Sequence, residues 1–239
     1  MERVDPTRLG RIASQLPNQR VAVNALHHPT MIEKILRSKV VVWTALVVPG
    51  LWPLWPILVA QDPSVTADPF KYVLHHLGFV ACLVLAVALS FSPLRVLWPK
   101  WGVAQVLNRH RRLVGVAAFV YAALHLTTHL IYEGGFALAA IPATLKTALG
   151  KPFQLTGLIA FTILLVLAAT SVNAAIQWLG GKLWKNIHRL AYVAAALAAY
   201  HQAAARKLFP MQVVWIFGPL VILEIARVWK SRRPASVVK

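Results

Sequence analysis

Acidic residues, and charged residues in general, are scarce in this chain. Only 7 of its 239 residues are aspartate or glutamate, against 25 lysines and arginines, and charged residues make up 13% of the total. Soluble domains carry about 25% charged residues, so the composition argues against a soluble domain. The net charge of +18 does not predict nucleic-acid binding, because the basic residues cluster at the ends of apolar runs rather than along one polar face.

Cysteine and glycine-rich motifs are also nearly missing. Because Cys82 is the single cysteine, an intramolecular disulfide is excluded, and cysteine usage does not indicate the redox compartment. No glycine loop of the kind that cradles phosphate and no internal repeat is present, so a flavin or nicotinamide domain, if one takes part, is expected on another chain. The stretch before the first apolar run is polar and rich in arginine, and no cleavable signal peptide is predicted.

Long apolar runs dominate what is there. Hydrophobic residues make up 58% of the chain and the mean hydropathy is +0.62. A membrane-spanning helix needs about 20 mostly apolar residues. We therefore predict an all-α integral membrane protein, a six-helix transmembrane bundle with spans at residues 40–60, 72–91, 113–132, 153–176, 190–205 and 211–228.

The basic residues predict the orientation of this bundle. Most of the 25 lysines and arginines fall in the two terminal tails and in the second and fourth connections. Cytoplasmic loops carry such an excess, so both termini are predicted to be cytoplasmic. The domain division that follows is a cytoplasmic tail at 1–39 (with Met31 as an alternative start), a transmembrane domain at 40–232 and a second cytoplasmic tail at 233–239.

Histidines are the main ionisable residues inside the predicted spans, where such residues default to functional candidates. His125 lies thirteen residues beyond Arg112 on the third span, and His201 lies thirteen beyond His188 on the fifth. At about 1.5 Å per residue, both sit roughly 20 Å from the cytoplasmic end. Two imidazoles at equal depth are what bis-histidine ligation of one heme requires. The alternative is two core histidines that bond to helix carbonyls.

The remaining histidines leave several alternatives open. His188 lies at the cytoplasmic end of the fifth span, and His110 is the only histidine of similar depth on another span. Either the two histidines form an inner heme site, or His110 is solvated in a basic loop and the site does not exist. His75 approaches the outer heme, bonds a propionate or faces the headgroups, and His129, one turn after His125, is an alternative ligand or a donor behind it.

Arginines cluster beside His110, and two interpretations apply to them. Arg111 and Arg112 either anchor the third span at the cytoplasmic surface or bind an acidic donor, a heme propionate or a flavin phosphate. Anchoring is the ordinary role of such residues.

Four motifs carry a family resemblance. The runs ADPFK from Ala67, NRHRRLVG from Asn108, LHLT from Leu124 and WKNIHRLAY from Trp184 resemble the MsrQ (YedZ) family. Its members are heme-binding membrane subunits of the periplasmic protein-methionine-sulfoxide reductase system, within the ferric-reductase-like transmembrane superfamily. The resemblance covers roughly residues 40–232 and depends on order, spacing and topology together.

The resemblance implies an electron conduit in the bacterial inner membrane. Electrons from the quinone pool or a cytosolic flavin reductase would pass through heme b to a periplasmic molybdopterin subunit, which carries out the reduction of methionine sulfoxide. The family's heme-ligand positions fall on His125, His188 and His201, with His75 matching a further family histidine. FMN is also implied, without a site. Related reductases hold two hemes, but arginines stand near the place of an inner ligand, so the heme number, one or two, stays open.

Two other functions compete with this interpretation. One is a polytopic transporter or assembly factor whose histidines bind a metal ion or relay protons, for which Glu224 is the sole candidate carboxylate in the last span. The other is a stand-alone quinol-oxidising cytochrome b with a different acceptor. A colourless protein would favour the first, and the absence of a periplasmic molybdoenzyme partner the second.

Overall fold

The computed structural model describes residues 30–206 and 208–232, so residues 1–29 of the predicted N-terminal tail and the predicted C-terminal tail at 233–239 lie outside them. The described chain folds into helices joined by short connections. In chain order these are α1 (Met31–Arg37), α2 (Lys39–Leu51), α3 (Pro63–Thr66), α4 (Pro69–Leu97), α5 (Gly102–Gly134), α6 (Ile141–Leu149), α7 (Pro152–Ala169), α8 (Asn173–His188), α9 (Leu190–Ala204) and α10 (Met211–Arg232). A π-helical turn, Trp55–Val59, follows α2, and a 3-10 turn, Leu138–Ala140, precedes α6.

Four of the described helices are long and apolar enough to cross a membrane: α4, α5, α7 and α10. They coincide with the second, third, fourth and sixth predicted spans. The all-α, multi-pass membrane architecture is thereby confirmed. The first and fifth predicted spans fall on α2 and α9, which have 13 and 15 residues. The count of six spans therefore stays a prediction.

The start of helix α4 is marked by an aspartate cap and a proline. Asp68 precedes it and accepts a hydrogen bond from the Lys71 backbone N–H at 3.0 Å, while Pro69 occupies the first helical position. An aspartate cap followed by proline is a strong start signal, because proline has no N–H to leave unpaired there. The observed helix runs beyond the predicted span at both ends, which carries its C-terminal turn to Leu97.

Prolines explain why the first apolar run does not form one long helix. Pro49 lies inside α2, and Pro53 and Pro56 follow it. Pro53 has no N–H to give to the Pro49 carbonyl, four residues earlier. The helix ends at Leu51, and Nε2 of His76 on α4 lies 2.7 Å from the Pro49 oxygen. Because a carbonyl only accepts, His76 donates through Nε2 and replaces the missing backbone donor.

This contact predicts a structural role for His76 that a substitution pair can test. His76→Phe keeps an aromatic ring but removes the donor to the carbonyl of the half-buried Pro49, and losing such a hydrogen bond costs about 0.5–1.5 kcal/mol. We expect a lower midpoint of thermal unfolding, measured by circular dichroism in detergent. His76→Gln retains an N–H donor and is expected to restore most of the loss. Equal midpoints for the wild-type protein and His76→Phe would contradict the role.

The fourth predicted span also ends earlier than expected. Helix α7 stops at Ala169, and a separate helix, α8, begins at Asn173. The side chains of Thr170 and Ser171 donate hydrogen bonds back to the Val166 and Leu167 carbonyls. Such side-chain bonds compete with the backbone ladder and favour a helix end. The span predicted at 153–176 is thus divided at this turn.

The core lies where α4 packs against α5 along their length and against α9 and α10, with α7 covering α5 and α9. Small residues mark the closest contacts: Ala118 of α5 and Ala194 of α9 are both fully buried. Small side chains let helix backbones approach in a membrane, where packing rather than water exclusion holds helices together. Because α5 and α9 both pack against α4 and α7, their histidines come to lie near one another.

Candidate heme site

Two histidines from different helices meet inside the bundle. His125 of α5 and His201 of α9 have ring centroids 6.0 Å apart, with planes at 80° to each other. The equal depths predicted from the sequence therefore correspond to a spatial pair. Neighbouring rings from two helices can bind one ligand between them.

Both rings are held by backbone carbonyls on a neighbouring helix. Nδ1 of His125 lies 2.9 Å from the Leu74 oxygen of α4, and Nδ1 of His201 lies 2.6 Å from the Phe153 oxygen of α7. Because a carbonyl only accepts, each Nδ1 carries the proton, and in a neutral ring Nε2 then has a free lone pair. Metal-binding histidines are usually oriented in this way by a carbonyl or carboxylate behind them.

The spacing suits a metal between the two rings. A metal–imidazole nitrogen bond of about 2.0 Å places the metal about 3 Å from a ring centroid, so two rings on opposite faces have centroids about 6 Å apart. The observed 6.0 Å agrees with this value. The pair offers two nitrogen donors, and a porphyrin would supply the equatorial ones. The two nitrogen donors and the separation of their rings are therefore compatible with heme.

A cavity of about 320 Å³ opens beside the pair. Its walls come from α4, α5, α7 and α9, and its lining is mainly apolar, including Leu85, Leu126 and Phe161. Large apolar cavities with a few directed polar groups are the usual form of cofactor sites. His125 and His201 are among the polar groups that line this cavity.

Polar side chains lie elsewhere on the cavity wall. Oε1 of Gln202, next to His201, is buried without a hydrogen-bond partner among the described residues, and its side chain lines the cavity. Buried polar atoms are normally paired, so this one indicates a missing ligand group or water. Lys71 and Arg206 also line the cavity and offer positive charge to the carboxylates of a heme. Gln202, Lys71 and Arg206 had not been singled out from the sequence.

His75 and His129 line the same cavity. The Nδ1 of His75 donates to the Lys71 carbonyl of its own helix at 2.8 Å, and the residue is exposed. A neutral His75 therefore presents an acceptor at Nε2 and bonds a propionate only as an imidazolium. The structure places both residues around the central pair, in positions that suit supporting contacts.

His110 lines neither this cavity nor the one that contains His188. Its Nε2 is 3.0 Å from the Leu36 carbonyl of α1, so it donates across to the N-terminal helix. An inner pair of His110 and His188 stays a prediction. The contact with Leu36 joins residues 74 positions apart, which explains why the sequence pattern did not reveal it.

A second cavity of about 270 Å³ lies on the other side of Leu85 and Leu164, which line both cavities. It contains His188, three arginines (Arg109, Arg111 and Arg112) and Trp184. The Trp184 and His188 rings stack at 4.0 Å between centroids, and Nε2 of His188 lies 3.3 Å from Thr170 Oγ1. The ring nitrogen that His125 and His201 leave free is thus engaged in His188.

Electrostatics in the second cavity favour a neutral histidine and a bound anion. His188 lies outside the four long apolar helices, and burial, with the nearby positive charge of Arg111, lowers its pKa to about 4. Arg112 donates to the Ser171 carbonyl at 3.1 Å and to Asn173 Oδ1 at 2.7 Å, so it ties α5 to the turn between α7 and α8. Arg112 therefore holds α5 against this turn, whereas the charge of Arg111 lies near His188.

Comparison with known proteins agrees with this architecture. Residues 77–199 match the family model described as the ferric reductase like transmembrane component. The chain is 33% identical to the protein-methionine-sulfoxide reductase heme-binding subunits MsrQ of Brucella ovis, Brucella canis and Brucella suis, over 78% of this chain and 88% of each relative. The matched region contains His125, His188 and most residues that line the two cavities, and it ends two residues before His201. The chain belongs to the MsrQ family, within the ferric reductase-like transmembrane proteins.

Proposed function

We propose that this chain is a heme b-binding, transmembrane electron-transfer subunit. The observation that carries the proposal is the His125–His201 pair, with centroids 6.0 Å apart and both Nδ1 atoms held by carbonyls. A heme bound there would supply one-electron transfer between two iron oxidation states. His125 and His201 would hold its iron, and the apolar walls would exclude water from it.

The second cavity extends the proposal toward the cytoplasmic side. Its arginines and the neutral His188 suit an anionic redox group, either a second heme through its propionates or FMN through its phosphate. Because Leu85 and Leu164 line both cavities, the two cofactors would be separated by these side chains. Such a pair would carry electrons from a quinone or a cytosolic flavin reductase to the opposite side of the membrane.

Membership of the family supports a proposal for the partner and the location. The MsrQ relatives are named as heme-binding subunits of a protein-methionine-sulfoxide reductase. We propose that this chain likewise serves a periplasmic molybdopterin subunit that reduces methionine sulfoxide in oxidised proteins. It would lie in the bacterial inner membrane as a six-helix bundle with both termini cytoplasmic, as the distribution of basic residues predicts.

Glu224, the carboxylate on which a proton-coupled transporter would depend, is already engaged. It forms a salt bridge with Arg227 at 2.6 Å and accepts a hydrogen bond from the Tyr192 hydroxyl at 3.1 Å. A carboxylate paired on both oxygens is poorly suited to alternate between protonation states during transport. This arrangement favours the electron-transfer proposal over the transporter.

A heme assay on the purified protein tests the proposal. The protein, purified in detergent from cells supplied with heme precursor, is expected to show a reducible b-type Soret band and one or two hemes per chain by pyridine hemochrome. A colourless protein that stays unable to bind added hemin would overturn the proposal and favour the transporter. Heme without co-purification of a molybdoenzyme would instead favour a stand-alone cytochrome b.

A further inference from the structure

Each histidine of the central pair lies against a glycine on the neighbouring helix. A Cβ added to Gly78 of α4 would lie 3.0 Å from Nδ1 and Cε1 of His125. A Cβ added to Gly157 of α7 would lie 2.6 Å from Nδ1 and 2.7 Å from Cε1 of His201. Any side chain at either glycine would therefore meet the imidazole ring.

The two contacts share one register. His125 donates to the carbonyl of Leu74, four residues before Gly78, and His201 donates to the carbonyl of Phe153, four residues before Gly157. Positions four apart lie on the same face of a helix, one turn from each other. Each ring thus lies over a glycine and donates to a backbone carbonyl one turn earlier. The backbone N–H of the same glycine points to that carbonyl in the regular α-helix.

The repetition on two separate helix pairs indicates a common purpose. Without a Cβ at the glycine, the ring can lie close to the helix and keep its Nδ1–H on the carbonyl. On the α7 side the Phe153 ring also stacks against His201, with centroids 6.1 Å apart and planes at 25°. The ring orientation is therefore fixed from behind, and Nε2 is left to face the cavity.

We propose that Gly78 and Gly157 are positioning residues that set the orientation and basicity of the two axial histidines. The proposal rests on the proposed heme function. A carbonyl that accepts from Nδ1–H increases electron density at Nε2, which makes the ring a stronger donor. A stronger donor stabilises the oxidised iron, so the glycines would keep the midpoint potential low.

The contact distances predict an order of effects. At 2.6 Å, a Cβ on residue 157 forces the His201 ring away from the Phe153 carbonyl, whereas at 3.0 Å a Cβ on residue 78 requires a smaller adjustment. An imidazole ring that is bonded to the carbonyl through Nδ1 and to iron through Nε2 cannot rotate away from an added Cβ. A ring without iron can. The loss is therefore expected in heme binding more than in folding of the chain without heme.

Three alanine variants test the proposal: Gly157→Ala, Gly78→Ala and, as a control, Gly218→Ala. A Cβ at Gly218 in α10 would have only an ordinary contact, 3.9 Å from Val214 Cγ1, and Gly218 lines neither cavity. Gly157→Ala is expected to bind heme about 10–100-fold more weakly, as substitutions behind metal ligands do. Gly78→Ala is expected to keep heme with its oxidised-to-reduced equilibrium shifted up to about tenfold toward reduction, about 59 mV for one electron.

Hemin titration, redox potentiometry and the electron paramagnetic resonance spectrum of the oxidised heme measure these effects. A change in the g-values reports ring orientation, which a general loss of stability would not alter. If Gly157→Ala does not accumulate, Gly78→Ala decides the matter, since its contact is milder. If Gly78→Ala binds heme normally and has the wild-type midpoint potential and spectrum, the inference about the glycines is overturned, while the proposed heme function stands. A wild-type protein that binds no heme would overturn the proposed function and this inference with it.

Discussion

Replacing either His125 or His201 with alanine is expected to remove most of the b-type Soret absorbance from the purified protein. Both rings line the cavity with Nδ1 bonded to a carbonyl, so Nε2 is left free, and under the proposed function the two Nε2 atoms would hold the heme iron. Losing a hydrogen-bond partner of a metal ligand weakens metal binding about 10–100-fold. Losing the ligand itself is expected to weaken heme binding more than that. The heme content should fall below about a tenth of the wild-type value.

A matched control and a second substitution make this result specific. His110→Ala removes a histidine whose Nε2 bonds the Leu36 carbonyl outside the cavity, and it should retain the full heme content. His201→Met replaces one ligand with another that hemes accept, and it should retain heme with a higher midpoint potential. Unchanged heme content in both His125→Ala and His201→Ala would show that the pair is not the ligand set.

The pairing of His125 and His201 shows how far residue counting reaches. Rise per residue predicts how deep each histidine lies, and depth was enough to select these two. Depth does not say which way a side chain faces, and helical rotation over thirteen residues is too uncertain to supply it. The facing direction comes from the carbonyls of Leu74 and Phe153 and from Gly78 and Gly157, which belong to other helices.

The helix boundaries divide in a similar way. Apolar length predicted α4, α5, α7 and α10, because crossing a membrane imposes a minimum length on a helix. The break after α2 had a visible signal in Pro49, Pro53 and Pro56, since proline removes backbone donors. The end of α7 had a weaker one, because Thr170 and Ser171 end a helix only when their hydroxyls turn back to the carbonyls.

The second large effect is expected in the cavity of His188. Arg111→Gln removes a positive charge beside a half-buried histidine, and that charge contributes to the lowered pKa of His188. A charge-assisted hydrogen bond contributes about 1.5–3 kcal/mol, so an anionic group in this cavity should bind about 10–100-fold more weakly without it. Heme at the His125–His201 pair should be unaffected, because Arg111 lines only the second cavity.

Reduction kinetics in proteoliposomes would measure this effect. Reduced flavin added on the side of the second cavity should reduce the heme at the pair about 10–100-fold more slowly in Arg111→Gln, while dithionite should reduce it fully. Arg95→Gln is the matched control, since Arg95 carries the same charge at the end of α4 and does not line the cavity. Arg112→Gln separates anchoring from binding, because its bonds to Ser171 and Asn173 predict lower thermal stability.

The outcome decides between two forms of the electron path. If Arg111→Gln lowers flavin affinity or heme stoichiometry together with the reduction rate, the second cavity holds a redox group that passes electrons across the wall of Leu85 and Leu164. If cofactor content and rate both match Arg95→Gln, the arginines serve as membrane anchors and the pair receives electrons directly. In that case His188, with its Nε2 on Thr170, is part of the packing between α7 and α8 rather than a ligand.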